Sequence, residues 1–228
     1  MMRTTLISAA LLMLLAWPGS SAAQDERLTT ITPFVGFYLP TSDLVNNQDL
    51  PGLPGPIDPD AVSITQQSGF AFGLRASRTL SGSLWLEAEF QYAISDVKIT
   101  ATRREPLPQD NWTGGGQVIT LGANILWEIY RAPFTPFGIH LIGGLAAVNR
   151  GGEFFDEKGY FFDEPLEGGT TIGVIAGLGA RYGFSGRFGI RLDVRDYISS
   201  YSQSVPSGDF DSELQNDIWI TGGIEVTL

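Results

Sequence analysis

The sequence has no cysteine, which removes disulfide frameworks, thiolate metal sites and lipid attachment at a lipobox together. Charge is scarce as well. Only 17% of the residues are charged, and 25 acidic residues stand against 14 basic ones. The resulting net charge of −11 argues against nucleic acid, because phosphate binding needs a basic surface. Histidine occurs once, at His140. Beyond the N-terminal segment, no stretch is long and apolar enough for a transmembrane helix. A membrane role is therefore a β-barrel role, since only helices and closed barrels satisfy their backbone polar groups in lipid.

What is present starts with residues 1–23, which read as a secretory signal peptide. Arg3 supplies the positive start, residues 6–17 a short apolar stretch, Pro18 and Gly19 a break, and Ser21, Ala22 and Ala23 the small residues of a cleavage site. Residues 24–228 are expected to form one domain.

That domain alternates with period 2. In residues 218–228, Ile218, Ile220, Gly222, Ile224, Val226 and Leu228 share one face; Trp219, Thr221, Gly223, Glu225 and Thr227 share the other. Seven earlier segments alternate likewise: 29–39, 69–77, 84–95, 117–129, 137–148, 170–182 and 187–199. Long and short connections between them alternate strictly, as in transmembrane barrels with short periplasmic turns and long outer loops. The predicted fold is all-β, an eight-stranded antiparallel up-and-down transmembrane β-barrel. Trp127, Tyr130, Phe134, Phe137, Tyr182, Phe184 and Phe188 cluster near the short turns, where an interfacial girdle belongs.

The faces have a sense. One is aliphatic, aromatic or small. The other carries glycine and charge: Arg75, Glu87, Glu89, Glu128, Arg181, Arg191, Asp193, Arg195 and Glu225. Turned outward, each arginine near the bilayer midplane would cost roughly 2–4 kcal/mol. These residues are expected to form a salt-bridged network filling the lumen, since eight strands leave room for little more than side chains. A simple hairpin register centred between 80 and 82 sets Arg75 opposite Glu87.

Four stretches carry a family resemblance: Pro33-Phe34-Val35-Gly36, Pro136-Phe137-Gly138-Ile139, 191–197 and 221–228. With them, residues 24–228 resemble the small OmpA-like outer-membrane β-barrel domain family. The resemblance implies a bacterial outer-membrane location. It also implies contact with outer-membrane lipid and lipopolysaccharide, and insertion by the barrel-assembly machinery. Thr221, Gly223, Val226 and Leu228 resemble the C-terminal assembly signal of such barrels, with Leu228 in place of the usual terminal aromatic. No further C-terminal peptidoglycan-binding domain is expected.

Candidate chemistry is sparse. His140 lies on an inward face near the periplasmic end and lacks the adjacent serine of a deacylase-like motif; a hydrogen-bonded lumen histidine is expected. Residues 177–183 do not make a dinucleotide fingerprint and precede no helix. Asp156, Glu157, Asp163, Glu164, Glu167, Asp209, Asp211 and Glu213 show no EF-hand spacing and read as a solvated acidic rim. The loop 149–169 holds Phe154, Phe155, Tyr160, Phe161 and Phe162, an unusual aromatic content that marks a candidate surface-binding loop or a cap on the barrel mouth. The expected protein has no cofactor and is not an enzyme; its role is structural or one of surface interaction. A narrow channel for small solutes is the alternative, and lipid A modification a third reading that lacks a nucleophile–base pair.

Overall fold

Alternation in β1 (Thr29–Pro40) puts Phe34 and Tyr38 inside while Val35 and Phe37 stay exposed. The same inversion of the soluble-protein pattern runs through the molecule: apolar chains outside, polar and charged chains buried. The computed structural model describes residues 28–48, 61–102, 110–156, 168–201, 204–205, 208–209 and 213–228. The expected signal segment lies outside them. Among the described residues no helix is long and apolar enough to cross a membrane.

After β1 come β2 (Val45–Gln48), β3 (Ala61–Gln66), β4 (Gly69–Ser81), β5 (Leu84–Thr102), β6 (Asp110–Arg131), β7 (Phe137–Gly151) and the short helix α1 (Glu153–Asp156). They are followed by β8 (Gly169–Gly183), β9 (Phe188–Tyr201), β10 (Ser204–Val205), β11 (Gly208–Asp209) and β12 (Glu213–Thr227). Eight long strands close into a ring in the order β5-β4-β1-β12-β9-β8-β7-β6, with β6 pairing back to β5. All neighbours are antiparallel, and first and last strands meet from Thr30↔Thr227 to Pro40↔Asp217. Closure leaves no free edge in the ring. Pro33, which has no N–H to donate, falls in the gap of that seam between Ile31↔Val226 and Phe34↔Gly223.

Two features differ from the sequence reading. The β4–β5 register shifts between Thr79 and Ser81, so Arg75 faces Glu89 and Ser77 faces Glu87; Arg75 and Glu87 are not directly opposed. A bulge beside the turn adds a residue that symmetric counting about the turn omits. Second, the long connections are partly folded. β5 and β6 pair up to Ala101↔Asp110, β3 continues alongside β5, and β2 joins β3, building a four-stranded extension above the ring. Leu44, Ile64, Val97 and Ile99 are buried within it.

Candidate functional site

The lumen-facing positions of β4, β5, β7, β9 and β12 converge on one ion cluster. The Asp193 carboxylate accepts hydrogen bonds from Arg75 Nη1 (2.8 Å), Arg195 Nη2 (3.0 Å) and Arg191 Nε (3.1 Å), and lies 3.1 Å from His140 Nε2. Glu87 accepts from Arg191, from Arg195 Nη2 (2.7 Å) and from the Ser77 hydroxyl (2.8 Å). Glu89 accepts from Arg195, from Arg75 Nε (3.4 Å) and from the Tyr197 hydroxyl (2.6 Å). Arg75 also donates to Thr221 Oγ1 (3.0 Å) and stacks 3.9 Å above the Phe34 ring. Three guanidiniums thus meet three carboxylates, each residue at most 4% exposed. Low dielectric strengthens such pairs, but only full pairing offsets the cost of desolvating them.

Glycine makes the cluster possible. A Cβ at Gly179 would collide with the Asp193 carboxylate and the His140 ring, one at Gly122 with the Glu89 carboxylate, and one at Gly73 with the Phe34 ring under Arg75. The glycine-rich inward faces of the sequence are the space into which the charged chains fold.

The remaining expected network members sit apart. Glu128 is held by Arg181 and Arg131 at the periplasmic end, with Arg181 4.3 Å over the Trp85 ring. Glu225 faces inward but, among the described residues, takes no hydrogen-bond or ion-pair partner. On the extracellular side of the cluster an apolar layer crosses the lumen, which the sequence reading missed: Tyr38, Tyr197, Trp219, Ile142 and Ile175 are all buried. Tyr38 and Tyr197 flank Trp219 with ring centroids at 5.1 Å and 5.8 Å. Above it, Arg150 pairs with Asp217, which also accepts from the Tyr38 hydroxyl (2.7 Å). Arg150 and Asp217 fall outside the strands expected from the sequence, because β7 and β12 run farther than the clean alternation does.

At the mouth, α1 places Phe155 inside at 2% exposure. Phe154 is half-buried, edge-to-face with Phe155 (5.3 Å) and packed against Gly114 of β6. The helix packs on β6 and β7, and Phe155, being buried, is not an exposed binding residue; Tyr160, Phe161 and Phe162 lie outside the described residues. In the C-terminal motif, Thr221 is a lumen residue bound to Arg75, and Gly223 lies where a Cβ would meet Phe34. Val226 pairs across the seam with Ile31, and Leu228 is exposed. Among the described residues no three His, Asp or Glu side chains are grouped to hold a metal ion.

Known proteins agree with this architecture. The model of the family described as outer membrane protein beta-barrel domain matches residues 7–222. No curated protein matches the sequence. Among solved structures, the chain is similar to the outer membrane protein OprG from Pseudomonas aeruginosa: TM-score 0.59, 12% identity, 89% of this chain and 96% of that one. It is also similar to Neisserial surface protein A: TM-score 0.50, 10% identity, 87% of this chain and 96% of that one. These likenesses show a shared fold. With the family match over nearly its whole length, the chain belongs to the outer membrane protein beta-barrel domain family and is a bacterial outer-membrane protein.

Proposed function

We propose that this protein is a closed, non-enzymatic barrel whose role is structural or one of interaction at the cell surface. The observation that carries the reading is the cluster of Arg75, Arg191, Arg195, Glu87, Glu89 and Asp193, drawn from strands on opposite sides of the ring and buried throughout. A permeating ion would have to break several charge-assisted hydrogen bonds at once. His140 supports the non-enzymatic part, because its ring is turned to Asp193 within the cluster and buried. In this reading the partners are outer-membrane lipid and lipopolysaccharide around the apolar belt, and the barrel-assembly machinery during insertion.

The test is conductance of the purified barrel in planar bilayers. Silent membranes with correctly inserted protein are expected. Reproducible single-channel steps in the unmodified protein would replace this reading with that of a narrow solute channel. Unchanged lipid A mass spectra on deleting or overproducing the protein are expected alongside.

A further inference from the structure

Outside the lumen, charge is sorted by end. The short-turn rim carries Arg78, Arg131 and Arg187, and among the described residues no acidic side chain points outward there; Glu128 and Glu225 both face inward. At the opposite end Asp43, Asp96, Asp110, Glu153 and Asp156 stand against Lys98. In a chain of net charge −11, a rim that is positive needs a reason.

The three arginines are spread around the ring. Two strands separate β4 from β9, two separate β9 from β6, and one separates β6 from β4. At the usual strand spacing they stand roughly 10–15 Å apart along the wall, too far for one phosphate to bridge. Their positive charge is not cancelled. Arg78 and Arg187 have no ion-pair partner among the described residues. Arg131 shares Glu128 with Arg181, so two guanidiniums meet one carboxylate, and its side chain is 63% exposed.

Two of the arginines stand beside aromatic pairs. Tyr130 and Phe137 meet edge-to-face at 6.4 Å next to Arg131, and Phe184 and Phe188 stack at 6.5 Å on either side of Arg187 in the chain. The second turn is locked, because Ser185 Oγ accepts from the backbone N–H groups of Arg187 (3.3 Å) and Phe188 (3.0 Å). These rings continue the apolar belt, so the guanidiniums lie at its edge, where headgroups begin. A guanidinium fork matches the oxygens of a phosphate.

We infer that Arg78, Arg131 and Arg187 form a collar that seats anionic phospholipids of the periplasmic leaflet, one phosphate on each guanidinium. This rests on the reading that the belt lies in lipid with the short turns toward the periplasm. The full barrel is reconstituted into vesicles of equal parts phosphatidylglycerol and phosphatidylcholine with the same acyl chains, released into mild detergent and weighed by native mass spectrometry. The wild-type protein is expected to retain up to three phosphatidylglycerols in preference to phosphatidylcholine, against the repulsion its net charge imposes. Arg78→Gln, Arg131→Gln and Arg187→Gln are each expected to lower phosphatidylglycerol retention about fivefold at one site, and the triple variant to lose the preference. Lys98→Gln removes the same charge at the other end and should retain lipid as the wild type does. Equal retention of both lipids by the wild type, or a loss in Lys98→Gln as large as in Arg187→Gln, would overturn the collar. So would a triple variant that keeps its phosphatidylglycerol but no longer sediments with peptidoglycan, which would make the rim a peptidoglycan contact. The heat-shifted gel band reports insertion separately: a barrel that is not in lipid loses the band, whereas a mistaken collar leaves it.

Discussion

Asp193 is the residue on which the lumen turns, because three guanidiniums and the only histidine address one carboxylate. Asp193→Asn leaves Arg75, Arg191 and Arg195 facing Glu87 and Glu89 alone. Breaking a buried pair from one side costs about 3–5 kcal/mol, and a loss of that order is expected in urea unfolding of the barrel in lipid vesicles. An unchanged midpoint would show that the cluster contributes nothing to holding the ring. Pairing Asp193→Leu with Arg191→Leu is expected to recover part of the loss, since matched removal leaves fewer charges stranded. Gly179→Ala should act in the same direction as Asp193→Asn, by driving a methyl group between Asp193 and His140. Most of the cluster was legible in the sequence, because period 2 assigns Glu87, Glu89, Arg191, Asp193 and Arg195 to one face without knowledge of pairing. The individual bonds were not. They depend on register, and the bulge near Leu80 moves Arg75 from Glu87 to Glu89. Nor does period 2 say how high in the lumen Glu225 and Glu128 lie, and height separates them from the cluster.

β5 shows why the extracellular half of the fold was harder to read. From Leu84 to Thr100 it keeps one phase, and odd-numbered residues point inward. In the membrane that face bears Glu87, Glu89 and Gln91, and the outer face bears Leu86, Phe90 and Ile94. Above the membrane the chemistry swaps. Val97 and Ile99 are inside, and Lys98 and Thr100 are outside, because the outer face now meets water. Hydrophobicity thus changes sign along an unbroken strand, and a reading that follows the apolar face stops at Ser95. The same swap hides β3, where Ile64 is buried between the more open Ser63 and Thr65. If this extension is folded around its own small core, trypsin added to intact cells should spare Lys98. Val97→Asp places an unpaired charge among Ile64, Ile99 and Leu44, and should open the extension and expose Lys98 to cleavage. The belt and the heat shift of the barrel should remain as they are. Cleavage at Lys98 in the wild-type protein would argue against an ordered extension.

Across the whole molecule, the closed-barrel proposal gives the lumen two barriers of different chemistry. The ion cluster resists by charge pairing; the layer of Tyr38, Tyr197, Trp219, Ile142 and Ile175 resists by packing and by excluding water. Tyr197 belongs to both, since its ring packs on Trp219 while its hydroxyl binds Glu89. The barriers are in series, so conductance follows the tighter one. Arg75→Ala empties space in the cluster and leaves Asp193 and Glu89 each with one fewer donor, yet the aromatic layer above it is intact. That variant is expected to stay silent in planar bilayers while losing stability. Tyr38→Ala with Trp219→Ala opens the upper layer and leaves the ion pairs, and is likewise expected to stay silent. Only the combination of all three should yield steady, small conductance steps. Those steps should be cation-preferring, because the triple variant keeps Glu87, Glu89 and Asp193 with two arginines rather than three. Steps from Arg75→Ala alone would mean that the aromatic layer is not a barrier. Silence from the triple variant, with its heat-shifted band preserved, would place the seal at the mouth under α1, where Phe155 is buried.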